Sequence, residues 1–431
     1  MLRRILIFAA VLMLIAVVGT ATAFELTTKE TLGRTIFFDT NLSEPEGQAC
    51  AGCHGTEVGW SGQNPEGFKH AGVYHGAIKS RFGNRKPPTI SYSTFSPKFH
   101  LENATTGLFA GGSFFDGSAT GERFGSPAVD QATKPFLNPL EMNNPDEATI
   151  VEKVCHSNYA DIFKQVWGNN SCDNEDEAIK YISLSIVAFE GSEEVSPFSS
   201  KFDAYLDGKV VLTEEERKGL ELFRGKGLCD QCHVSTIGPD GKHPLFTNFI
   251  YGNPGTPRNP DNPFYNQTDF NPLGAAYIDP GLGGFLETRP EFIKYQTMNY
   301  GKFKVPTLRN VGKRPNSSFI KVYMHNGFLK SLKDVVHFYN TRDILGDCAL
   351  KANPQSGVNC WPLPEMPQTK NPAVGNLGLS DSEEHAIVAF LETLSDGFVP
   401  GKEVPVLTPV SMAALVGLLG LLGIFALRRR L

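Results

Sequence analysis

Cys50-Ala51-Gly52-Cys53-His54 and Cys229-Asp230-Gln231-Cys232-His233 limit the chemistry of this chain most narrowly. In each, two thiols flank two residues and a histidine follows at once. That spacing lets two cysteines add across the two vinyl groups of one haem while the histidine, pinned beneath the ring, ligates the iron. A zinc site would need four ligands at matched spacings and would leave the histidine after each pair unexplained. A redox C-x-x-C lacks its βαβ context here. The expectation is two covalently bound haem c groups, one on Cys50, Cys53 and His54, the other on Cys229, Cys232 and His233. The 31 phenylalanines suit a chain that must wrap two broad apolar macrocycles.

The elements that position these motifs repeat. Leu26-Thr27-x-x-Glu30-x-x-Gly33-x-x-x-Phe37 and Leu212-Thr213-x-x-Glu216-x-x-Gly219-x-x-x-Phe223 agree at five positions, and each leads into a C-x-x-C-H. Thr27/Glu30 and Thr213/Glu216 are capping boxes, so each copy starts a helix that runs up to its cysteines. Apolar periodicity predicts further helices over 178–190, 329–339 and 380–394, the last with a Ser380/Glu383 capping box. No run of alternating residues predicts a strand. Residues 236–304 are rich in Gly, Pro and Asn and read as a long functional loop. The halves divide near residues 190–200.

The chain has 431 residues, 43 Gly, 29 Pro and a net charge of -6. This composition is globular with long irregular connections, and its acidity argues against nucleic acid as a partner. Residues 1–23 carry Arg3 and Arg4, an apolar run and Ala21-Thr22-Ala23, the pattern of a cleaved signal peptide. Residues 410–427 form an uncharged run before Arg428-Arg429-Arg430, long enough to span a bilayer with the arginines cytoplasmic. The tail also resembles a bacterial sorting signal, a Pro motif, an apolar span and an Arg cluster, that is clipped in the mature protein. Both ends predict export to the periplasm, with the tail as a membrane anchor or sorting signal. There Cys155, Cys172, Cys348 and Cys360 are expected to pair locally, 155 with 172 and 348 with 360. Without its terminal arginines the exported part is more acidic still, which suits a basic redox partner.

Over residues 26 to 398 the chain resembles the bacterial dihaem cytochrome c peroxidase family, including its MauG-like branch. The resemblance rests on five stretches besides the two haem motifs. They are Phe82-Gly83-Asn84-Arg85-Lys86-Pro87-Pro88-Thr89; Phe114-Phe115-Asp116-Gly117; Gln131-Ala132 with Pro135-Phe136-Leu137-Asn138-Pro139-Leu140-Glu141-Met142; Phe303-Lys304-Val305-Pro306-Thr307-Leu308-Arg309-Asn310-Val311; and Tyr323-Met324-His325-Asn326-Gly327. It implies an all-α protein of two cytochrome c-like domains with long loops, 24–195 holding the peroxide-reacting haem and 196–400 the electron-transfer haem, between addresses at 1–23 and 401–431. It implies Glu141 as the catalytic glutamate and Gln131 as its accompanying glutamine. Splitting peroxide moves a proton from the near oxygen to the leaving one, which a carboxylate can do as base and then acid. A neutral amide beside it orients peroxide without competing for the proton. His70 falls where these peroxidases place a distal ligand, with His75 as its competitor and an open iron as the alternative. Tyr339 falls where typical members carry methionine and the MauG-like branch tyrosine, with Met324 as runner-up. A phenolate would lower the haem potential, a thioether raise it.

The chain departs from the family pattern at two places. Phe115 stands where the family usually has tryptophan between its haems, and its ring is far harder to oxidise. Lys86 stands where the family often has an asparagine calcium ligand, and an ammonium cannot coordinate a cation; Asn84 is the substitute. Three functions stay open: reduction of hydrogen peroxide with electrons from a small c-type cytochrome or another periplasmic donor relayed through the second haem, a MauG-like oxidation of a protein side chain, and electron carriage without catalysis.

Overall fold

In the computed structural model, residues 25–62 and 72–400 are described, so the expected signal peptide, the C-terminal apolar run and His70 lie outside the described residues. Helix α1 (Thr28–Phe38) starts from the Thr27/Glu30 capping box and ends shortly before Cys50. It crosses α5 (Glu175–Glu190) at Gly33, where any Cβ would collide with the Ser185 carbonyl oxygen. The second half repeats the device. Helix α7 (Glu214–Arg224) starts from the Thr213/Glu216 box and crosses α10 (Asp381–Glu392) at Gly219, where a Cβ would meet the Ala386 carbonyl oxygen. The glycine shared by both copies is the residue that lets two helix backbones touch.

Aromatic packing is duplicated as well. Phe37 meets Phe189 at a tilt and Trp60 edge to face, with ring centres 5.4 and 6.0 Å away. Phe223 meets Phe390 and Phe246 at 5.1 and 6.3 Å. Around the first group lies a core running from Leu32 to Val195, including α2 (Pro127–Leu137), α3 (Glu147–Cys155) and α4 (Ala160–Trp167). Around the second lies a core from Phe202 to Leu394, including α6 (Lys201–Leu206) and α9 (Leu332–Thr341). The helices expected over 178–190, 329–339 and 380–394 are present as α5, α9 and α10, with bounds shifted by a few residues.

The all-α expectation needs correction to helix-rich with a few short strands. β1 (His100–Asn103) pairs antiparallel with β2 (Leu108–Ala110), and β3 (Tyr251–Gly252) with β4 (Phe303–Lys304). At two to four residues these strands are too short to show alternation in sequence. Residues 236–304 are largely irregular but also hold α8 (Gly281–Glu287). That helix joins Phe99, Phe109, Tyr251 and Tyr295 in a third apolar cluster, built from both halves of the chain. Disulfides join Cys155 to Cys172 and Cys348 to Cys360. Among the described residues no helix is long and apolar enough to cross a membrane.

Candidate functional site

Each C-x-x-C-H forms a single 3₁₀ turn, Cys50–Gly52 or Cys229–Gln231, after which the backbone N–H of His54 or His233 donates to the first cysteine's carbonyl. Both imidazoles are then oriented in the same way. His54 Nδ1–H donates to the Trp60 carbonyl at 2.9 Å, and His233 Nδ1–H to the Phe246 carbonyl at 2.9 Å. Trp60 and Phe246 both have positive φ, 59° and 53°, which turns those carbonyls toward the rings. With Nδ1 committed, Nε2 of each ring is the nitrogen left to bind a metal, as in a ligating histidine that gives its other N–H to a carbonyl. Burial lowers the affinity of both imidazoles for a proton, that of His54 to about 4, so each is held in the neutral form a ligand needs.

The cysteines fit thioether attachment better than the rival uses. All four are free thiols. Burial pushes Cys50 and Cys229 up to about 12 and Cys53 and Cys232 in the same direction, opposite to the lowered value of a reactive redox thiol. Among the described residues no three His, Cys, Asp or Glu side chains converge as a metal cage. Cys229, Cys232 and His233 instead line a cavity of about 270 Å³ whose wall is mostly apolar, with Phe223, Val335 and Leu391 among its residues. A broad apolar ring anchored at Cys229 and Cys232 suits that space.

Tyr339 and Met324 line the same cavity. Tyr339 comes from α9, and burial, together with the cysteine pair beside it, holds its phenol well above the usual range. Its hydroxyl makes no hydrogen bond among the described residues. Met324, at φ 68°, occupies the turn position that Phe114, at φ 62°, holds in the first half. Phe115 lies on the cavity wall, its ring centre 6.5 Å from that of His325.

The first haem motif gathers a different set. Gln48 Nε2 donates to Cys53 Sγ and to the His75 carbonyl, both at 3.5 Å. Ala77 N–H donates to the Glu141 carbonyl at 2.6 Å, so the segment after His75 lies against the loop that carries Glu141. His75 turns its Nδ1 to the Gly76 carbonyl. The Glu141 loop folds back on the end of α2, with Met142 N–H donating to the Pro135 carbonyl and Asn144 N–H to that of Phe136. Gln131 lies one turn before Pro135 on the same helix. Burial raises the Glu141 carboxyl to about 7, and its charge acts on both Cys50 and Cys53. Asn138 lies three residues before Glu141. Its Nδ2 donates to Glu141 Oε1 at 2.7 Å while its Oδ1 accepts from Leu140 N–H, which fixes which way the amide points.

Lys86 reaches Ser61 Oγ and the Pro87 carbonyl, each at 3.1 Å, and Asn84 Nδ2 donates to the Tyr277 hydroxyl. The local sequence of the haem motifs did not point to His325, Lys304, or the carbonyls of Trp60 and Phe246. The second Lys-x-Pro-Thr, at Lys304, repeats the first at Lys86 and is the signal by which Lys304 could have been found.

The family model described as di-haem cytochrome c peroxidase matches residues 27–211. The methylamine utilization protein MauG of Paracoccus denitrificans (strain Pd 1222) is 32% identical over 368 residues, which cover 85% of this chain and 88% of that protein. The cytochrome c551 peroxidase of Nitrosomonas europaea is 26% identical over 381 residues, 88% of this chain and 83% of that protein. Among solved structures, the diheme peroxidase BthA from Burkholderia thailandensis E264 superposes with a TM-score of 0.71 at 27% identity, covering 88% of each chain. With two haem motifs in duplicated settings and a relative this similar over most of its length, the chain belongs to the di-haem cytochrome c peroxidase family.

Proposed function

We propose that the protein reduces hydrogen peroxide to water at the haem held by Cys50, Cys53 and His54, with electrons from a c-type cytochrome entering through the haem held by Cys229, Cys232 and His233. The observation that carries this reading is Glu141, a carboxyl raised to about 7 and held by Asn138 beside the first cysteine pair. A pKa near the working pH suits a group that must take a proton and then give it up. Bound haem supplies the iron at which the O–O bond is cleaved and the electrons that reduce it. Glu141 takes the proton from the near oxygen of peroxide and returns it to the leaving oxygen. Asn138 fixes the carboxylate rotamer, and Gln131 orients peroxide or water without competing for the proton. His54 and His233 would hold the two irons, with Tyr339, ahead of Met324, as the further side chain available to the second. His75 and His70 remain the candidates for the first.

The division falls as 24–195 and 196–400. The two disulfides favour export, since such bonds persist outside the cytoplasm. Export by residues 1–23 and retention or sorting by 401–431 complete the reading. Calcium is left without a role, because an ammonium stands at Lys86.

A second reading, oxidation of a protein side chain as in the MauG-like branch, is favoured by Tyr339 on the cavity wall, its hydroxyl without a hydrogen bond among the described residues. One experiment separates the readings. The ferric protein is examined by EPR, and peroxide consumption is followed with and without a reduced c-type cytochrome. Turnover only with the cytochrome supports the first reading, whereas rapid peroxide reaction with no cytochrome oxidation supports the second. Two six-coordinate haems with no turnover would sink both.

A further inference from the structure

The internal repeat reaches across the middle of the molecule. Lys86-Pro87-Pro88-Thr89 and Lys304-Val305-Pro306-Thr307 are anchored alike, Thr89 Oγ1 donating to the Gly59 carbonyl at 2.8 Å and Thr307 Oγ1 to that of Leu245 at 2.6 Å. The backbone N–H of Lys86 donates to the His325 carbonyl at 2.8 Å, and that of Lys304 to the Phe115 carbonyl at 2.7 Å. Phe115 and His325 occupy the same place in equivalent turns, each following a residue of positive φ. Each half therefore holds the lysine of the other by the same bond. Both lysines end on the wall of the cavity that carries Cys229, Cys232 and His233.

Among the described residues neither ammonium has an acid to face. Lys86 is held by neutral oxygens. Lys304 makes no hydrogen bond or ion pair among the described residues, its Nζ lying 5.6 Å from the centre of the Phe249 ring. The nearby carboxylates are already engaged: Arg85 takes Asp116 at 2.6 Å and Asp279 at 2.7 Å. His325, 6% exposed on the same wall, has no partner for its Nε2. Burial lowers both lysines to about 8. A desolvated cation without a counter-charge is costly, so two ammoniums with no carboxylate partner among the described residues mark the place of an anion.

We infer that Lys304, with Lys86 adding to the same positive wall, receives a carboxylate in this cavity, and that the carboxylate is a propionate of the haem held at Cys229, Cys232 and His233. The inference rests on the haem reading above. Haem c carries its two carboxylates on the ring edge opposite the thioether bonds, so a ring anchored by the cysteines presents them elsewhere along the cavity wall. A free carboxylate from solution would offer the same chemistry.

The test compares the dihaem holoprotein with Lys304→Gln and Lys304→Arg. Haem content is measured by pyridine haemochrome, propionate contacts by the propionate bending bands in resonance Raman spectra, and the potentials by spectroelectrochemical titration. Lys304→Gln is expected to keep two haems, displace the propionate bands, and favour the ferric form of one haem about tenfold, or about 59 mV. Lys304→Arg is expected to restore the potential. Two haems with bands and potentials unchanged in Lys304→Gln would overturn the inference, whereas wild-type protein without haem would overturn the underlying haem reading instead. Titration of wild type with sodium acetate distinguishes the source. A saturable shift in potential that Lys304→Gln abolishes, with the propionate bands unmoved, overturns the propionate assignment. Should Lys304→Gln not fold, Lys304→Arg carries the test, because a guanidinium fork changes the bands of a propionate it holds and leaves those of a distant one alone.

Discussion

Glu141 shows how an ordinary carboxyl is made useful. Burial raises its pKa and the Asn138 amide pulls it part of the way back, leaving it at about 7. A base must be deprotonated to act, so the rate of peroxide turnover should rise with pH through about 7 and level off above it. In Asn138→Ala the stabilising donor is gone and the midpoint should move to higher pH, with two haems retained. A pH–rate profile that leaves the midpoint in place would remove Asn138 from the site. Glu141→Gln keeps the shape of the side chain but cannot shuttle the proton, and should slow steady-state peroxide consumption by about 10² or more. An unchanged rate would mean that another group moves the proton.

At the scale of elements, the repeated Gly33 and Gly219 decide whether the helix that leads into each haem motif can lie on its partner. A methyl at Gly219 must displace either α7 or the backbone of α10 at Ala386, and backbone yields little. Gly219→Ala should therefore cost about 1–3 kcal/mol or more in urea unfolding, and should disturb the spectrum of the second haem ahead of the first. A neutral substitution would mean that the two helices can separate freely. The capping boxes that start α1, α7 and α10 were legible because they are local, four-residue patterns of backbone hydrogen bonding. The strands β1 to β4 were not legible, since each is held by a distant partner rather than by its own alternation.

The halves are joined by buried polar contacts. Tyr92 Oη donates to Asp396 at 2.9 Å and accepts from Phe198 N–H at 2.9 Å, while Asn310 Nδ2 donates to the same carboxylate at 2.7 Å. Arg309, almost wholly buried, pairs with Asp203 and lies over the Tyr92 ring at 4.7 Å. Tyr92→Phe removes one donor from Asp396 and leaves the Phe198 N–H without its acceptor. It should lower stability by about 1–3 kcal/mol in denaturant unfolding while leaving both haem spectra unchanged. No loss of stability would show that water replaces the hydroxyl.

By itself the sequence determined what is carried by short spacing and composition: two C-x-x-C-H motifs, the repeat that introduces them, the capping boxes and the local cysteine pairs, whereas Glu141 stood out only through the family resemblance. These follow from covalent reach and nearest-neighbour hydrogen bonding, which need no fold. Tertiary structure decided the orientation of the His54 and His233 imidazoles through the Trp60 and Phe246 carbonyls, the raised carboxyl of Glu141, and the meeting of Lys86 with His325 and of Lys304 with Phe115. Burial and long-range partners set these properties, because desolvation depends on everything that surrounds a group and not on its neighbours along the chain.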